Sequence, residues 1–388
     1  MREIKTSDFS IIKEVAKNIS EAKRKQEKVE LQNDLPSVLG LKLTNVCNLR
    51  CKHCYEWNEN GYHHNMSDDE KNKSLDFSIV KKCLDETKSK KSMVYLWGGE
   101  PFLYPEIKPL LERLCEENRT VAICTNSIKI PEYIDTLCKF SDKLELLLAL
   151  EGDKESNDEL RGKGNYHNTI SIIKMLLDLR ANKKFNGKIS VHTMISNENA
   201  NNLYGFVQEM ENLHIDNLTL CFPWYISNEM SESMDLFYNN TFSWLNANKL
   251  RQPSWHAYKY NIDPSNVNLV CSVVDTIRNH KWKINVNILP NINGEIAKEY
   301  MLGRAIDLPQ RPSCLTVFSR MDVLPTGKVS ACKHFQELTY GDLNVHSVFE
   351  VWNSTEMNLV RRKIKEGLMP ICNRCNNLYL HSYDKGMK

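Results

Sequence analysis

Nowhere in the 388 residues does an apolar run approach the length of about 18 that a membrane-spanning helix needs. The opening stretch, "MREIKTSDFSIIKE", also lacks an apolar core: it places charges where a secretory signal would need one. Neither charge sign dominates, since Lys plus Arg number 51 against 49 for Asp plus Glu, a net charge of +2. That balance gives no support to a polyanionic partner such as nucleic acid. There is no internal repeat and no low-complexity tract. The absences point to a cytoplasmic protein with neither membrane nor nucleic acid among its partners. The length suits one large domain plus a smaller one, with enough core to fold without covalent staples.

What the chain has in quantity is cysteine. Thirteen cysteines, an odd number unevenly spread, in a reducing compartment favour metal or catalytic roles over disulfides. "TNVCNLRCKHCYEW" sets Cys47, Cys51 and Cys54 directly behind the apolar run Val38 to Leu43. Zinc sites usually take four N or S ligands from paired CxxC units, so this lone triplet would need His53, His63 or His64 as a fourth ligand. Three thiolates on a tight loop can instead hold three irons of a cubane 4Fe-4S cluster and leave the fourth open. A second group comprises Cys314, Cys332 and the "CNRC" pair Cys372 and Cys375. On its own it suits a fully ligated 4Fe-4S cluster or a structural zinc equally. His334 and His346 flank it and read as ordinary surface histidines. Cys83, Cys115, Cys124, Cys138, Cys221 and Cys271 fall mostly at apolar positions, where cysteine acts as a small hydrophobe. Cys124 and Cys221 end strands that face the expected active site and are the only two candidates for direct approach to substrate.

Hydrophobic periodicity gives an alternating rhythm. Strand-like runs end at Thr44 and recur in "SMVYLWGGEP", "TVAICTN", "KLELLLALEG", "KISVHTMIS" and "NLTLCF". Helical spacing lies between them, in "LDFSIVKKCLDETK" and near 105–117, 131–139, 166–179 and 200–211. Six βα-type units predict a parallel sheet, open or curled into a partial barrel. Chemistry in such folds sits at the C-terminal ends of the strands. Those ends carry the unusual residues: the cysteine triplet, "WGGEP", "CTNS", "ALEGD", "MISN" and "CFPW". The expected organisation is an N-terminal helical segment at 1–37, a barrel at 38–290 and a C-terminal domain at 291–388. An aromatic-rich insert at 223–263 is either a lid over an extended substrate or a locally packed subdomain.

"CNLRCKHC", with the aromatic His53 before its last cysteine, and "GGEP", Gly98 to Pro101, behind the second strand together resemble the radical S-adenosylmethionine superfamily. The resemblance implies a partial (β/α)6 TIM-like barrel and a 4Fe-4S cluster on Cys47, Cys51 and Cys54 whose open iron chelates S-adenosylmethionine. Gly98 and Gly99, followed by Pro101, would let backbone approach the cofactor, and Glu100 would pair with its ammonium. Arg161 would meet its carboxylate. Asn126 and Thr193 would line the site and Glu151 the ribose, although "ALEGD" departs from the superfamily's Ser-x-Asp-Gly at Ala149 and Glu151.

The second cysteine group, with "LPTGKVSAC" as a hairpin turning at Gly327, resembles the SPASM and twitch extensions of that superfamily. A full SPASM domain has seven cysteines for two clusters. With none after Cys375, at most one auxiliary 4Fe-4S cluster is expected, making two clusters in all. The implied reaction is reductive cleavage of S-adenosylmethionine, hydrogen abstraction by a 5'-deoxyadenosyl radical, and electron transfer to the auxiliary cluster. The implied substrate is a peptide, as in ribosomal peptide maturation. Alternatively the enzyme is a dehydrogenase or oxidative decarboxylase of a sugar, alcohol or tetrapyrrole. Partners would include an electron donor such as flavodoxin or ferredoxin. The 37 residues of the N-terminal segment are too few for a winged-helix leader-binding domain, which weakens the peptide reading; a leader would then be bound by a separate protein or by the barrel mouth. A non-catalytic metal-binding scaffold is the reading from another class, and it would leave "GGEP" and Arg161 without purpose.

Overall fold

One ten-stranded sheet organises the computed structural model, which describes residues 6–27, 33–245, 252–306 and 313–381. Strands β1 (Val38–Lys42), β2 (Met93–Trp97), β3 (Val121–Thr125), β4 (Leu144–Ala149), β5 (Lys188–Met194), β6 (Asn217–Cys221) and β7 (Asn285–Leu289) lie side by side in chain order, all parallel. Leu41, Leu96, Ile123, Leu148, Val191 and Leu220 are shut away from solvent, as expected of parallel strands covered on both faces. The result is a partial TIM-like barrel. The six expected units are present, and "KINVNILP" supplies β7 as a seventh parallel strand.

The covering helices form for local reasons. Helix Phe77–Glu86 buries Ile79, Val80, Cys83 and Leu84, one stripe at three- and four-residue spacing, and starts where the Asp76 side chain accepts from the Ser78 amide. Helix Ile107–Glu116 repeats the pattern with Ile107, Leu110, Leu111 and Leu114. The helix expected over 131–139 is instead a 3-10 turn, Ile130–Tyr133, followed by one helical turn, Ile134–Leu137. Pro131 sits in the first turn, where its missing N–H costs nothing, so it fixes where the segment starts and does not explain its early end.

The C-terminal segment joins the same sheet. Strand β8 (Arg320–Val323) pairs parallel with β1, and β9 (Lys328–Ser330) and β10 (Thr339–Asp342) follow antiparallel. The expected hairpin is present, with Gly327 at φ +79° in its turn. Pairing with β8 gives β1 a partner on its second edge.

The N-terminal helix Thr6–Glu27 is tied down beside this junction. Ser37 Oγ donates to Glu21 at 3.0 Å, and Lys25 pairs with Asp34 at 2.7 Å. Within the aromatic insert, helix Asn228–Thr241 and turn Ser254–Ala257 grip the C-terminal segment. The Ser254 amide and hydroxyl donate to the Glu337 carboxylate at 2.6 and 2.7 Å. Residues 246–251 of the insert lie outside the described residues. Among the described residues no helix is long and apolar enough to cross a membrane.

Candidate active site

A cavity of about 340 Å³ opens at the C-terminal ends of β1 to β6. Its wall includes all three cysteines of the first group, with His53, Gly98, Gly99, Asn126, Arg161, Cys124 and Cys221. Ten of the residues singled out in the sequence therefore meet around one space.

The two glycines hold the cysteine loop in place. Gly99 N donates to Thr44 O and Glu100 N to Val46 O, both at 2.9 Å. A Cβ on Gly99 would stand 2.3 Å from the Val46 carbonyl oxygen, and one on Gly98, whose φ is +150°, 2.4 Å from that of Thr44. Only glycine allows this approach. Burial pushes the Cys47 thiol up to about 11 and that of Cys54 up to about 12. Burial raises Cys51 as well, with the Arg161 guanidinium opposing it from 3.8 Å. Three enclosed free thiols that resist ionisation need a cationic partner to become thiolates, and the donor set fits an iron-sulfur cluster.

The histidines proposed for a zinc alternative are otherwise engaged. His53 Nε2 lies 3.4 Å from Glu151, His63 Nε2 lies 3.5 Å from Lys42 Nζ, and His64 Nε2 lies 2.8 Å from the Asn58 carbonyl. Among the described residues, no three His, Cys, Asp or Glu side chains converge on a single-ion site.

Other candidates support the wall from behind. Glu100 is buried and its carboxylate accepts from Phe102 N, Thr125 Oγ1 and Asn126 N at 3.0, 2.7 and 2.7 Å. It thereby couples the end of β2 to the end of β3, while burial raises its pKa. Pro101 opens the adjoining 3-10 turn. Asn126 Nδ2 reaches back to Asn48 on the cysteine loop at 2.8 Å. Glu151 accepts from Arg161 Nε and Nη2 at 3.1 and 2.7 Å and from the Met194 amide at 2.5 Å. Burial opposes its charge, but Arg161 and His53 hold its carboxyl down at about 2. Thr193 Oγ1 donates to the Leu150 carbonyl at 2.7 Å. Cys124 and Cys221 end β3 and β6 at the cavity, and burial keeps the Cys221 thiol protonated, pushed up to about 12.

The second group converges too. Cys314, Cys332, Cys372 and Cys375 line one apolar pocket with Phe242, Val317, Phe335, Leu338 and Met369. Burial raises all four thiols, Cys375 to about 12, and Cys372 feels each of the other three electrostatically. Four desolvated sulfurs lining one pocket, with no disulfide between them and no convergence on a single ion, have the chemistry to receive a multi-iron cluster.

Residues not selected from the sequence complete the cavity. Lys333 and His334 follow Cys332, Asn376 follows Cys375, and Trp224 and Tyr258 come from the aromatic insert. The insert is therefore both packed subdomain and cavity wall. His346 is exposed as expected, but His334 is buried with its ring centroid 4.0 Å from that of Trp224. The signal available for Lys333, His334 and Asn376 was their position one or two residues after Cys332 or Cys375.

The model of the radical SAM superfamily matches residues 41–209, and that of the SPASM iron-sulfur cluster-binding domain matches residues 314–376. The chain thus carries a radical SAM domain followed by a SPASM-type cluster-binding domain. Similar proteins include the antilisterial bacteriocin subtilosin biosynthesis protein AlbA of Bacillus subtilis, 28% identical over 38% of this chain and 32% of its own length. The mycofactocin maturase MftC of Mycolicibacterium smegmatis is 27% identical over 46% of this chain and 43% of its own. The alignments thus span less than half of those two relatives. Among solved structures, Streptococcus suis SuiB bound to precursor peptide SuiA superposes with a TM-score of 0.58 at 17% identity, over 87% of this chain and 69% of its own. That likeness concerns the fold. The radical SAM and SPASM matches imply S-adenosylmethionine and 4Fe-4S clusters as cofactors, and the two cysteine sets have the chemistry to receive the clusters.

Proposed function

We propose that this radical SAM protein is an oxidoreductase that oxidatively modifies a peptide. The observation that carries the reading is a single cavity flanked by both cysteine groups. The first group lines it directly, and Lys333 and Asn376, neighbours of Cys332 and Cys375, line it as well. When bound, S-adenosylmethionine on a reduced 4Fe-4S cluster supplies a radical able to take hydrogen from carbon.

The chain's residues do the rest. Cys47, Cys51 and Cys54 offer three thiolates, and the backbone of Gly98 and Gly99 leaves room for a ligand beside them. Arg161, held by Glu151, places positive charge next to Cys51, where a cofactor carboxylate would sit, while His53 and Asn126 flank it. Glu100, Pro101 and Thr193 fix the strand ends behind. Trp97, Trp224 and Tyr258 make the remaining wall apolar and exclude water from the reacting atoms. Cys314, Cys332, Cys372 and Cys375, using every ligand position of one cluster, fit an electron acceptor rather than a substrate site. The functional units in this reading are the segment at 1–37, the barrel at 38–290 and the auxiliary domain at 291–388. The printed names of AlbA and MftC, a bacteriocin biosynthesis protein and a maturase, and the precursor peptide on SuiB favour a peptide over a small molecule. An external one-electron donor such as flavodoxin or ferredoxin completes the reaction.

The test is anaerobic reconstitution with iron and sulfide, addition of dithionite and S-adenosylmethionine, and chromatography for 5'-deoxyadenosine. Wild type should form it; no product above a Cys51→Ala control overturns the enzyme reading. A peptide encoded beside the gene should lose hydrogen by mass spectrometry, and an unchanged mass removes the peptide assignment.

A further inference from the structure

The carboxylates described around the cavity are each already engaged. Glu56 faces Lys42 at 2.7 Å. Glu100 is held by Thr125 and two backbone amides, Glu151 by Arg161 and the Met194 amide. Asp322 on β8 grips Arg320 at 2.7 and 2.8 Å. Three cations line the cavity: Arg161, Lys259 and Lys333. Arg161 belongs to Glu151, and Lys259 donates to the Ile226 carbonyl at 2.9 Å and Ser231 Oγ at 3.3 Å. Lys333 differs. Its Nζ donates to Tyr95 OH at 3.2 Å and otherwise faces the rings of Tyr95 and Trp97, 4.6 and 4.8 Å from their centroids. Among the described residues no carboxylate stands at ion-pair distance from it. Ring faces compensate a partly desolvated ammonium only in part.

Several side chains of the same lining carry unpartnered polar atoms, His53 Nδ1 among them. Trp97 Nε1, Trp224 Nε1 and His334 Nδ1 are buried without a hydrogen-bond partner, in side chains that all line the cavity. Trp97 and His334 are only 6% and 4% exposed. Asn377 Nδ2 stands 3.2 Å from His334 Nε2 and, donating to it, leaves the ring proton on Nδ1. The three belong to side chains that line the cavity together with Lys333, and a lining with more N–H donors than acceptors favours a ligand rich in acceptors. Asn376 Oδ1, also unpartnered and on the same wall, offers the complementary acceptor for an amide N–H. Beside it the rings of Tyr55, Trp224 and Tyr258 lie nearly parallel, with interplanar angles of 13°, 14° and 24°.

We propose that Lys333 anchors a carboxylate of the substrate, so that this cavity selects an acylated amino acid unit with a free carboxylate and an apolar or aromatic side chain. The inference rests on the peptide reading above and names the group by which the peptide is held. Because Lys333 borders both the main cavity and the pocket of the second cysteine group, an anchor there would seat the substrate between the two. The carboxylate can be the α-carboxylate of a terminal residue or that of an acidic side chain.

Two probe pairs distinguish these sources: N-acetylphenylalanine against its primary amide, and N-acetyl-Glu-Phe-amide against N-acetyl-Gln-Phe-amide. Binding is measured by ligand-observed NMR on the full chain, reconstituted anaerobically and supplied with S-adenosylmethionine. Wild type should bind the acid of one pair about tenfold more tightly than its neutral partner, as a charge-assisted contact would give. Lys333→Met should abolish that preference and Lys333→Arg should keep it. The pair that shows the preference identifies the source of the carboxylate. No preference in wild type, or one that survives Lys333→Met, overturns the proposal. So does a Lys333→Met protein whose second-site spectrum shifts while probe preference is unchanged, which would make Lys333 a counter-charge to that site only. Should Lys333→Met fail to take up iron, Lys333→Gln and the salt dependence of the wild-type preference decide instead; a preference indifferent to both overturns the proposal. Formation of 5'-deoxyadenosine without probe reports on the enzyme reading alone, so the two failures are separable.

Discussion

At the scale of the residue, the Glu151 and Arg161 pair shows how charge is held beside the cysteine loop. Both are enclosed, and the guanidinium reaches Cys51 with Nη1 while Nε and Nη2 grip the carboxylate. Removing one member of such a pair leaves the other charge buried alone. Glu151→Gln is therefore expected to destabilise the protein by about 3 kcal/mol, measured by denaturant unfolding at neutral pH. The pH dependence has a definite sign. A carboxyl lowered from 4.5 to about 2 contributes stability that is fully present above about 4.5 and is lost as pH falls toward 2. The difference between wild type and Glu151→Gln should then be constant from about pH 5 upward and shrink by pH 3. A difference that grows on acidification would show that the pair does not carry the charge as described.

Among the elements, the contact between the Gly98–Gly99 turn and the loop behind β1 decides whether the first cysteine group keeps its shape. A Cβ on Gly99 meets backbone rather than a flexible side chain, so Gly99→Ala must displace the loop at Asn45 and Val46, next to Cys47. After reconstitution, wild type is expected to hold about eight irons in two clusters and Gly99→Ala about four, with the loss confined to the first site. Replacing Cys47, Cys51 and Cys54 together should give the same iron content by removing the ligands themselves. Full iron in Gly99→Ala would mean the loop tolerates the shift. One zinc beside about four irons in wild type would reassign the second group.

For the whole molecule, the decisive feature is that β8 continues the barrel sheet beyond β1, and the aromatic insert clamps the segment that follows through Ser254 and Glu337. The two cysteine groups are thus held on one framework while lining separate pockets. Cys372→Ala combined with Cys375→Ala should therefore retain S-adenosylmethionine cleavage to 5'-deoxyadenosine, whereas Cys51→Ala abolishes it. With peptide present, the double variant should yield little oxidised product and return hydrogen from solvent, seen as deuterium incorporation in heavy water. Full product yield from that variant would make the second site structural and the net reaction redox-neutral.

Local spacing by itself determined the cysteine triplet, the glycine turn behind β2 and the βα alternation, because each is written within a few residues: three sulfurs on one loop, two residues without Cβ, apolar positions at period two or 3.6. Tertiary structure alone decided that β8 pairs with β1, that Glu100 and Glu151 brace the cavity from behind, and that Lys333, His334 and Trp224 meet on its wall. Those outcomes depend on strand register and on packing between segments hundreds of residues apart, and no local period encodes which distant strand an edge will accept. His334 illustrates the difference: next to a ligand cysteine it read as a surface residue, and only the docking of the aromatic insert buries it against Trp224.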